Sequence, residues 1–230
     1  MLVMKITYQG HSVIEVMMKD GSAVIIDPFL TNNPLTNKAP SDVKAKWVIV
    51  THGHSDHLGD TVAIAKQNQA TVISIVEIAR YVSNKGIAQT HGLNIGGGFL
   101  FPFGRVSLTP ALHSSSIQEN GQTIYLGEPT GVVIEADGKT IYHAGDTADF
   151  SDLALIGEKY DLDVVFLPIG DNFTMGPDDA VIAAGRLHAK KVVPIHYNTF
   201  PQIKQDPTAF IARLPEGVGK VMTVGETIEV

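Results

Sequence analysis

The stretch Thr51-His52-Gly53-His54-Ser55-Asp56-His57-Leu58-Gly59-Asp60 decides how the rest of the chain is interpreted. It follows the apolar run at residues 47–50, which predicts a strand, and it precedes residues 60–69, whose pattern predicts a helix. In an extended segment His52 and His54 point to the same side, whereas Asp56 and His57 at a helix start diverge by about 100°. One loop at a strand end can therefore supply ligands to two adjacent metal ions.

This loop indicates a metal site rather than a chance cluster. A single histidine in a chain of this size is usually a surface or hydrogen-bonded core residue, but here three histidines and an aspartate alternate with glycine and serine. The chain has no cysteine, so any metal must be held by imidazole and carboxylate groups. Such ligands suit zinc, and also manganese, iron or nickel.

The alternation of elements outside the loop predicts the fold class. Short β-type runs occupy the first fifty residues and return from residue 99 to residue 143, and each β-rich part is followed by alternating helices and strands. Residues 219–224 and 227–230 are predicted as closing strands, and Asp137-Gly138 predicts a hairpin turn. We therefore expect one domain over residues 1–230, an α/β sandwich in which two mixed sheets pack together with helices outside.

The composition excludes several classes of function. The 230 residues are 44% hydrophobic and 18% charged, with a net charge of −7, which excludes a disordered chain. No segment is strongly basic, so a duplex nucleic acid is not expected as a partner. The N-terminal segment lacks the apolar core of a signal peptide, and no run approaches the length of a membrane helix. We expect a cytoplasmic protein with a small-molecule substrate and leave homo-oligomerisation open.

Three further motifs follow predicted strands and complete a known pattern. They are Leu112-His113-Ser114, Gly145-Asp146-Thr147 and Pro194-Ile195-His196-Tyr197. Together with His52-x-His54-x-Asp56-His57 they resemble the metallo-β-lactamase superfamily in kind and order. Tyr142-His143-Ala144-Gly145-Asp146-Thr147 and Pro168-Ile169-Gly170-Asp171 are similar to uncharacterised metal-dependent hydrolases related to ascorbate-6-phosphate lactonase.

The resemblance implies a four-layer αββα sandwich and a ligand set for two divalent ions, with zinc as the first candidate. It assigns His52, His54 and His113 to the first ion, Asp56, His57 and His196 to the second, and Asp146 to both. Two ions about 3.5 to 4 Å apart lower the pKa of a shared water towards neutrality, which makes a nucleophilic hydroxide.

The resemblance thus implies a binuclear hydrolase of an ester, lactone or phosphodiester bond in a small or phosphorylated substrate, with Asp56, Asp146 and His143 as its catalytic residues. The alternative is a metal-binding protein that serves in regulation or interaction without catalysis. Residues 31–46 and 114–130 are expected to form the variable loops that set specificity.

The remaining polar candidates each have two interpretations. Asp27, before Pro28, is either a turn residue or a carboxylate that orients a metal-bound imidazole. His143 is either a hydrogen-bonded core histidine or a general acid. His11, in Gly10-His11-Ser12, is a candidate for substrate contact near the mouth of the site.

Five more residues carry weaker expectations. Asp171, Asn172 and Thr174 precede a predicted helix start and either line the pocket or form a loop and cap. His188 is expected at a helix C-terminus, where a cation is favourable. His91 has no partner that the sequence identifies.

Overall fold

Short strands build most of the molecule. The computed structural model describes residues 3–230; Met1 and Leu2, which begin the segment analysed for a signal peptide and the predicted domain, lie outside the described residues. The strands are β1 (Lys5–Tyr8), β2 (Ile14–Met17), β3 (Ala23–Ile26), β4 (Trp47–Ile49), β5 (Thr71–Ile75), β6 (Thr90–Leu93), β7 (Gly98–Phe101), β8 (Gly104–Pro110), β9 (Ser116–Glu119), β10 (Gln122–Tyr125), β11 (Thr130–Ala136), β12 (Lys139–His143), β13 (Val164–Pro168), β14 (Val192–Ile195) and β15 (Thr227–Glu229).

Six α-helices connect or follow these strands in the described part of the chain. They are α1 (Ser55–Leu58), α2 (Thr61–Asn68), α3 (Val76–Asn84), α4 (Leu153–Lys159), α5 (Pro177–Leu187) and α6 (Pro207–Ile211). Helix α5 shows why such segments are helical. Pro177 at its first position and Asp178 and Asp179 in its first turn suit a helix N-terminus, and its buried face is made of small apolar side chains. It ends at His188, as predicted for that residue, in a left-handed conformation.

The strands form two large mixed sheets. Sheet A has the order β15-β1-β2-β3-β4-β5-β6 and is parallel from β3 to β6. Sheet B has the order β14-β13-β12-β11-β8-β7 and is parallel from β12 to β14. Strands β9 and β10 form a separate hairpin. The predicted α/β sandwich is therefore confirmed.

Successive side chains of a strand in sheet B point to opposite faces, which places apolar residues both against sheet A and against the outer helices. On β11, Val132 and Ile134 join the apolar cluster shared with sheet A, whereas Val133 between them joins a second cluster with α4 and α5. Helices α2 and α3 pack against β4, β5 and β6 of sheet A. The order is helix, sheet, sheet, helix, with a largely apolar interior. Between residues 3 and 230 no helix has the length and apolarity needed to span a membrane.

One local prediction is wrong, one predicted loop contains regular structure, and one strand was not predicted. Residues 219–224 do not form a strand, because only an isolated bridge joins Gly219 to Val192. The loop predicted at residues 114–130 contains the β9–β10 hairpin, whose turn places Asn120 and Gly121 at positive φ. Strand β6 was not predicted because it has four residues, including a central glycine, and little apolar alternation. The Asp137-Gly138 turn is confirmed, since both residues have positive φ between antiparallel β11 and β12.

Candidate metal centre

The histidine-rich loop lies where β4 ends and α1 begins. Gly53 and the neighbouring β9–β10 hairpin determine the conformation of this loop. A Cβ atom on Gly53 would lie 2.6 Å from the Leu126 side chain, so only glycine fits there. The Gly53 amide donates a hydrogen bond to Ser115 Oγ at 3.0 Å, which fixes the loop against the segment that leads into β9. The side chains on either side of Gly53 consequently face the same space.

The first group of ligand atoms comes from both sheets. His52 Nε2 lies 3.0 Å from His54 Nδ1, and His113 Nε2 lies 3.2 Å from the same His54 atom. His113 follows β8, and the Leu112 amide before it donates to Thr147 Oγ1 at 3.0 Å, next to Asp146. The structure thus brings together the three histidines that the resemblance assigned to the first ion.

The second group contains one residue more than expected. Asp56, His57 and His196 offer ligand atoms within 4.8 Å of one another, and His11 belongs to the same group. His11 Nε2 lies 3.2 Å from Asp56 Oδ2, and its Nδ1 lies 2.8 Å from Thr199 Oγ1. The ring of His11 is fully buried, so the structure places it in the floor of the site rather than at its mouth.

Asp146 lies between the two groups. A Cβ on Gly145, which has a φ of +63°, would meet the Thr130 carbonyl at 2.8 Å, so glycine is required just before this carboxylate. Its Oδ2 contacts four imidazole nitrogens, the Nε2 atoms of His196 (3.0 Å), His57 (3.2 Å), His113 (3.6 Å) and His52 (3.8 Å). One carboxylate therefore faces both groups, as a bridging ligand must.

Asp27 orients two of the histidines from behind. It is fully buried, and its Oδ2 accepts hydrogen bonds from His57 Nδ1 at 2.8 Å and from Thr51 Oγ1 at 2.7 Å. The Thr51 hydroxyl in turn accepts from His52 Nδ1 at 3.0 Å. In the neutral form that binds a metal, both rings therefore carry their proton on Nδ1 and direct Nε2 at Asp146. The structure therefore favours the interpretation of Asp27 as a carboxylate that orients imidazoles.

Burial keeps most of these imidazoles neutral. It lowers the pKa of His113 to about 4 and, with help from His196, that of His11 to about 4. Burial also lowers the pKa values of His52 and His54. Because a metal binds the neutral ring, these shifts prepare the side chains as ligands at neutral pH.

Two groups in the centre hold charge instead. Burial would lower the pKa of His57, but Asp146 and Asp27 outweigh burial and raise it well above its usual value. Burial would likewise raise the pKa of Asp146, but His196 and His57 outweigh it and hold that pKa well below the usual range.

The donor set fits divalent cations. His57 Nε2 and Asp146 Oδ1 are buried and make no hydrogen bond, although buried polar atoms are normally paired. Imidazole nitrogens and carboxylate oxygens converge there, and in the described part of the chain no lysine or arginine lines the adjoining pocket. Imidazole and carboxylate ligands of this kind match zinc, manganese, iron or nickel.

A pocket opens on one side of this centre. It has a volume of about 570 Å³ and is lined on its inner side by His54, Asp56, His113, Asp146 and His196. The Asp56 and His113 side chains are 25% and 13% exposed, whereas those of His52 and His57 are fully buried. A substrate can therefore reach the centre from the side of Asp56 and His113.

His143 does not face this pocket. Its ring is fully buried, with Nε2 donating to the Ser12 carbonyl at 2.9 Å and Nδ1 accepting from the Gly145 amide at 3.1 Å. With both nitrogens occupied by backbone groups it has no proton to offer a substrate. The structure therefore places the predicted general acid in the core, where it holds Gly145 and hence Asp146.

The other candidates lie apart from the metal centre or beside it. His91 packs against Phe99 and Phe101 in an aromatic cluster, and His188 is exposed at the end of α5. Asp171 and Thr174 close a turn through a hydrogen bond from the Thr174 amide to the Asp171 carbonyl. Neither they nor Asn172 line the pocket, but Phe173 between them does.

Sequence reasoning missed the residues that support the ligands. Thr51 and Thr199 bind ligand or near-ligand histidines through hydroxyl groups, and Phe173 completes the pocket together with Ile117 and Gln118 from the expected specificity segment 114–130. The position of Thr51, directly before His52, was a usable indication. Thr199 and Phe173 reach the site only through the packing of sheet B, which the linear sequence does not show.

Comparisons with known proteins agree with this geometry. The family model described as "Beta-lactamase superfamily domain" matches residues 22–197. The chain is 58% identical over 228 residues to the "UPF0173 metal-dependent hydrolase YtkL" of Bacillus subtilis (strain 168), covering 98% of this chain and 100% of that protein. It is 56% identical over 227 residues to a "UPF0173 metal-dependent hydrolase" of Anoxybacillus flavithermus, with the same coverage.

A solved structure is also similar. Igni18, described as a novel metallo hydrolase from the hyperthermophilic archaeon Ignicoccus hospitalis, matches with a TM-score of 0.87 and 39% identity. The match covers 98% of this chain and 97% of that one.

Proposed function

The chain belongs to the UPF0173 family of metal-dependent hydrolases within the beta-lactamase superfamily, and we propose that it acts through a binuclear metal centre. In this proposal His52, His54 and His113 hold one ion, Asp56, His57 and His196 hold the other, and Asp146 bridges them. The bond cleaved is an ester, lactone or phosphodiester of a small molecule. Zinc is the first candidate metal, with manganese, iron and nickel as alternatives.

The contacts of Asp146 carry the proposal. A single carboxylate oxygen lies within 3.8 Å of four imidazole nitrogens that belong to two separate ligand groups. A mononuclear site would need only one of these groups. The unpaired Oδ1 of the same carboxylate leaves a second oxygen free for a second ion.

The residues around the centre would activate a water molecule, orient the metal ligands and admit the substrate. Two bound divalent ions would supply a hydroxide near neutral pH and polarise the electrophilic oxygen of the substrate. Asp27 and Thr51 hold the imidazoles of His57 and His52 in the orientation that binding needs. The Asp56 and His113 side of the pocket admits the scissile bond, while the buried side excludes bulk water.

Metal analysis followed by a hydrolysis screen tests the proposal. After reconstitution with zinc, manganese, iron or nickel, we expect close to two ions per chain and turnover of a lactone, ester, thioester or phosphodiester. One ion per chain would contradict the binuclear assignment. Two ions without turnover on any of these classes would instead support the non-catalytic metal-binding alternative.

A further inference from the structure

The outer wall of the pocket carries no charge. Beyond the metal-side residues it is lined by Ser55, Ser114, Ser116, Ile117, Gln118 and Phe173. Three hydroxyl groups, one amide and two apolar side chains make up this wall, and none of the lining residues in the described chain is lysine or arginine. The part of a substrate that extends away from the scissile bond therefore meets uncharged groups.

Nearby cations are already engaged elsewhere. Lys85 binds the β9–β10 hairpin by pairing with Glu119, next to Gln118, and neither lines the pocket. Arg186 pairs with Asp149 at 3.1 Å outside the pocket. Recognition of a phosphate or carboxylate group normally uses such cations, often in bidentate geometry. A distal anionic group would consequently meet hydroxyl and amide groups here but no cationic partner.

Negative charge near the pocket and apolar surface within it both favour an uncharged, apolar distal group. Asp171 is exposed two residues before Phe173 in the same loop, and the chain carries a net charge of −7. Phe173 is 53% exposed at the pocket, and Ile117 on β9 is half-buried. An exposed aromatic side chain beside a deep polar centre offers area that an apolar group can cover.

We propose that the pocket selects substrates whose distal part is uncharged and apolar, with that part lying against Ile117 and Phe173. This inference rests on the proposed function, because it takes the metal centre as the place where the scissile group binds. It narrows the substrate class from small or phosphorylated molecules to those whose distal part is neutral, and it disfavours a phosphorylated sugar lactone.

The test compares two chelators that differ only at the distal end. Octanohydroxamic acid and suberic acid monohydroxamate share a metal-binding head and chain length, but the second ends in a carboxylate. Calorimetric titration of the zinc-loaded protein measures both dissociation constants. We expect the neutral tail to bind at least about tenfold more tightly, because its apolar end can cover Phe173 and Ile117, whereas the carboxylate meets no cation there.

Three variants locate the selectivity. Gln118→Lys places a cation on the outer wall and should reduce the ratio of affinities to about one or below. Gln122→Lys adds the same charge to exposed β10 outside the pocket and should leave the ratio unchanged. Phe173→Ala should weaken the neutral chelator more than the carboxylate-terminated one. These outcomes together would support an uncharged distal site.

Other outcomes overturn the inference. Equal affinities, a preference for the carboxylate, or no binding of either chelator would each refute it. The readout is binding rather than turnover, so failure of the hydrolase proposal is seen separately, in assays of p-nitrophenyl octanoate and its carboxylate-terminated analogue. Tail selectivity without hydrolysis would refute only the catalytic proposal.

Discussion

Replacing Asp27 by asparagine should release metal although Asp27 touches no metal. Asparagine keeps the shape of the side chain but replaces one oxygen by an NH₂ group. In the native structure Oδ1 accepts from the Thr51 amide at 2.8 Å, and Oδ2 accepts from Thr51 Oγ1 and His57 Nδ1. Either orientation of the new amide then faces at least one donor with another donor.

The conflict changes the tautomer of His57. If the NH₂ group replaces Oδ2, His57 Nδ1 must accept a hydrogen bond, and its proton moves to Nε2, which lies 3.2 Å from Asp146 Oδ2. A proton on Nε2 would block this atom as a ligand of the second ion. Loss of such an orienting partner typically costs about 10- to 100-fold in metal affinity, or roughly 1.4–2.7 kcal/mol. The first ion is affected less, because Asp27 reaches His52 only through Thr51.

Competition titration with a chromophoric chelator measures both dissociation constants. Thr51→Val is the companion variant, because it removes the hydroxyl group that orients His52 and leaves the bond between Asp27 and His57. It should therefore weaken mainly the first ion. Asp163→Asn is the control, since that carboxylate also accepts a backbone hydrogen bond, from Thr140 at 2.9 Å, but lies outside the site. Wild-type affinity for both ions in Asp27→Asn would refute the orienting role.

Three further predictions concern the ligands. Asp146→Asn should lower occupancy at both positions and reduce hydrolysis at least about a hundredfold with native circular dichroism; full stoichiometry and near wild-type turnover would contradict a bridge. Asparagine at position 11 tolerates the left-handed backbone but is too short to reach Asp56, so in His11→Asn the affinity for the second ion should fall about tenfold. In the control variant His91→Asn, elemental analysis should show an unchanged metal content. Acidification of the cobalt-loaded protein should change its absorbance in two steps. The second ion should be lost first, because the pKa of its ligand His57 is raised and protons compete there at a higher pH. The first ion should be lost at lower pH, because its ligand His113 has a pKa of about 4.

The sequence identified the residues that converge in the candidate metal centre better than those that line the outer pocket. Every predicted ligand ends or follows a strand, and the strands are marked by apolar runs long enough to recognise, as for residues 192–195 before His196. Strands β12 and β14 run in the same direction in sheet B, so the residues that follow them, Asp146 and His196, lie at the same edge of that sheet. His143 could not be resolved in the same way, because the same apolar strand is compatible with a core or a catalytic histidine.

The β9–β10 hairpin was missed for a physical reason. Its residues are exposed or only partly buried on both faces, so no alternation of apolar and polar side chains marks the strands. The position of His11 was missed because it depends on contact between the sheets. A turn in sheet A meets the end of β14 in sheet B, and no local pattern encodes that distance.

The metal centre depends on how the two sheets pack. Each proposed ion takes ligands from both, with His113 from sheet B completing the group of His52 and His54. Backbone bonds fix this alignment, including His196 amide to His11 carbonyl at 2.8 Å and Thr130 amide to Thr51 carbonyl at 3.0 Å. These groups are buried, so breaking the alignment would leave polar atoms unpaired at a cost of about 1–3 kcal/mol each. Packing between the sheets therefore sets the ligand distances, and metal binding in turn stabilises that packing because only the aligned sheets present a complete ligand set.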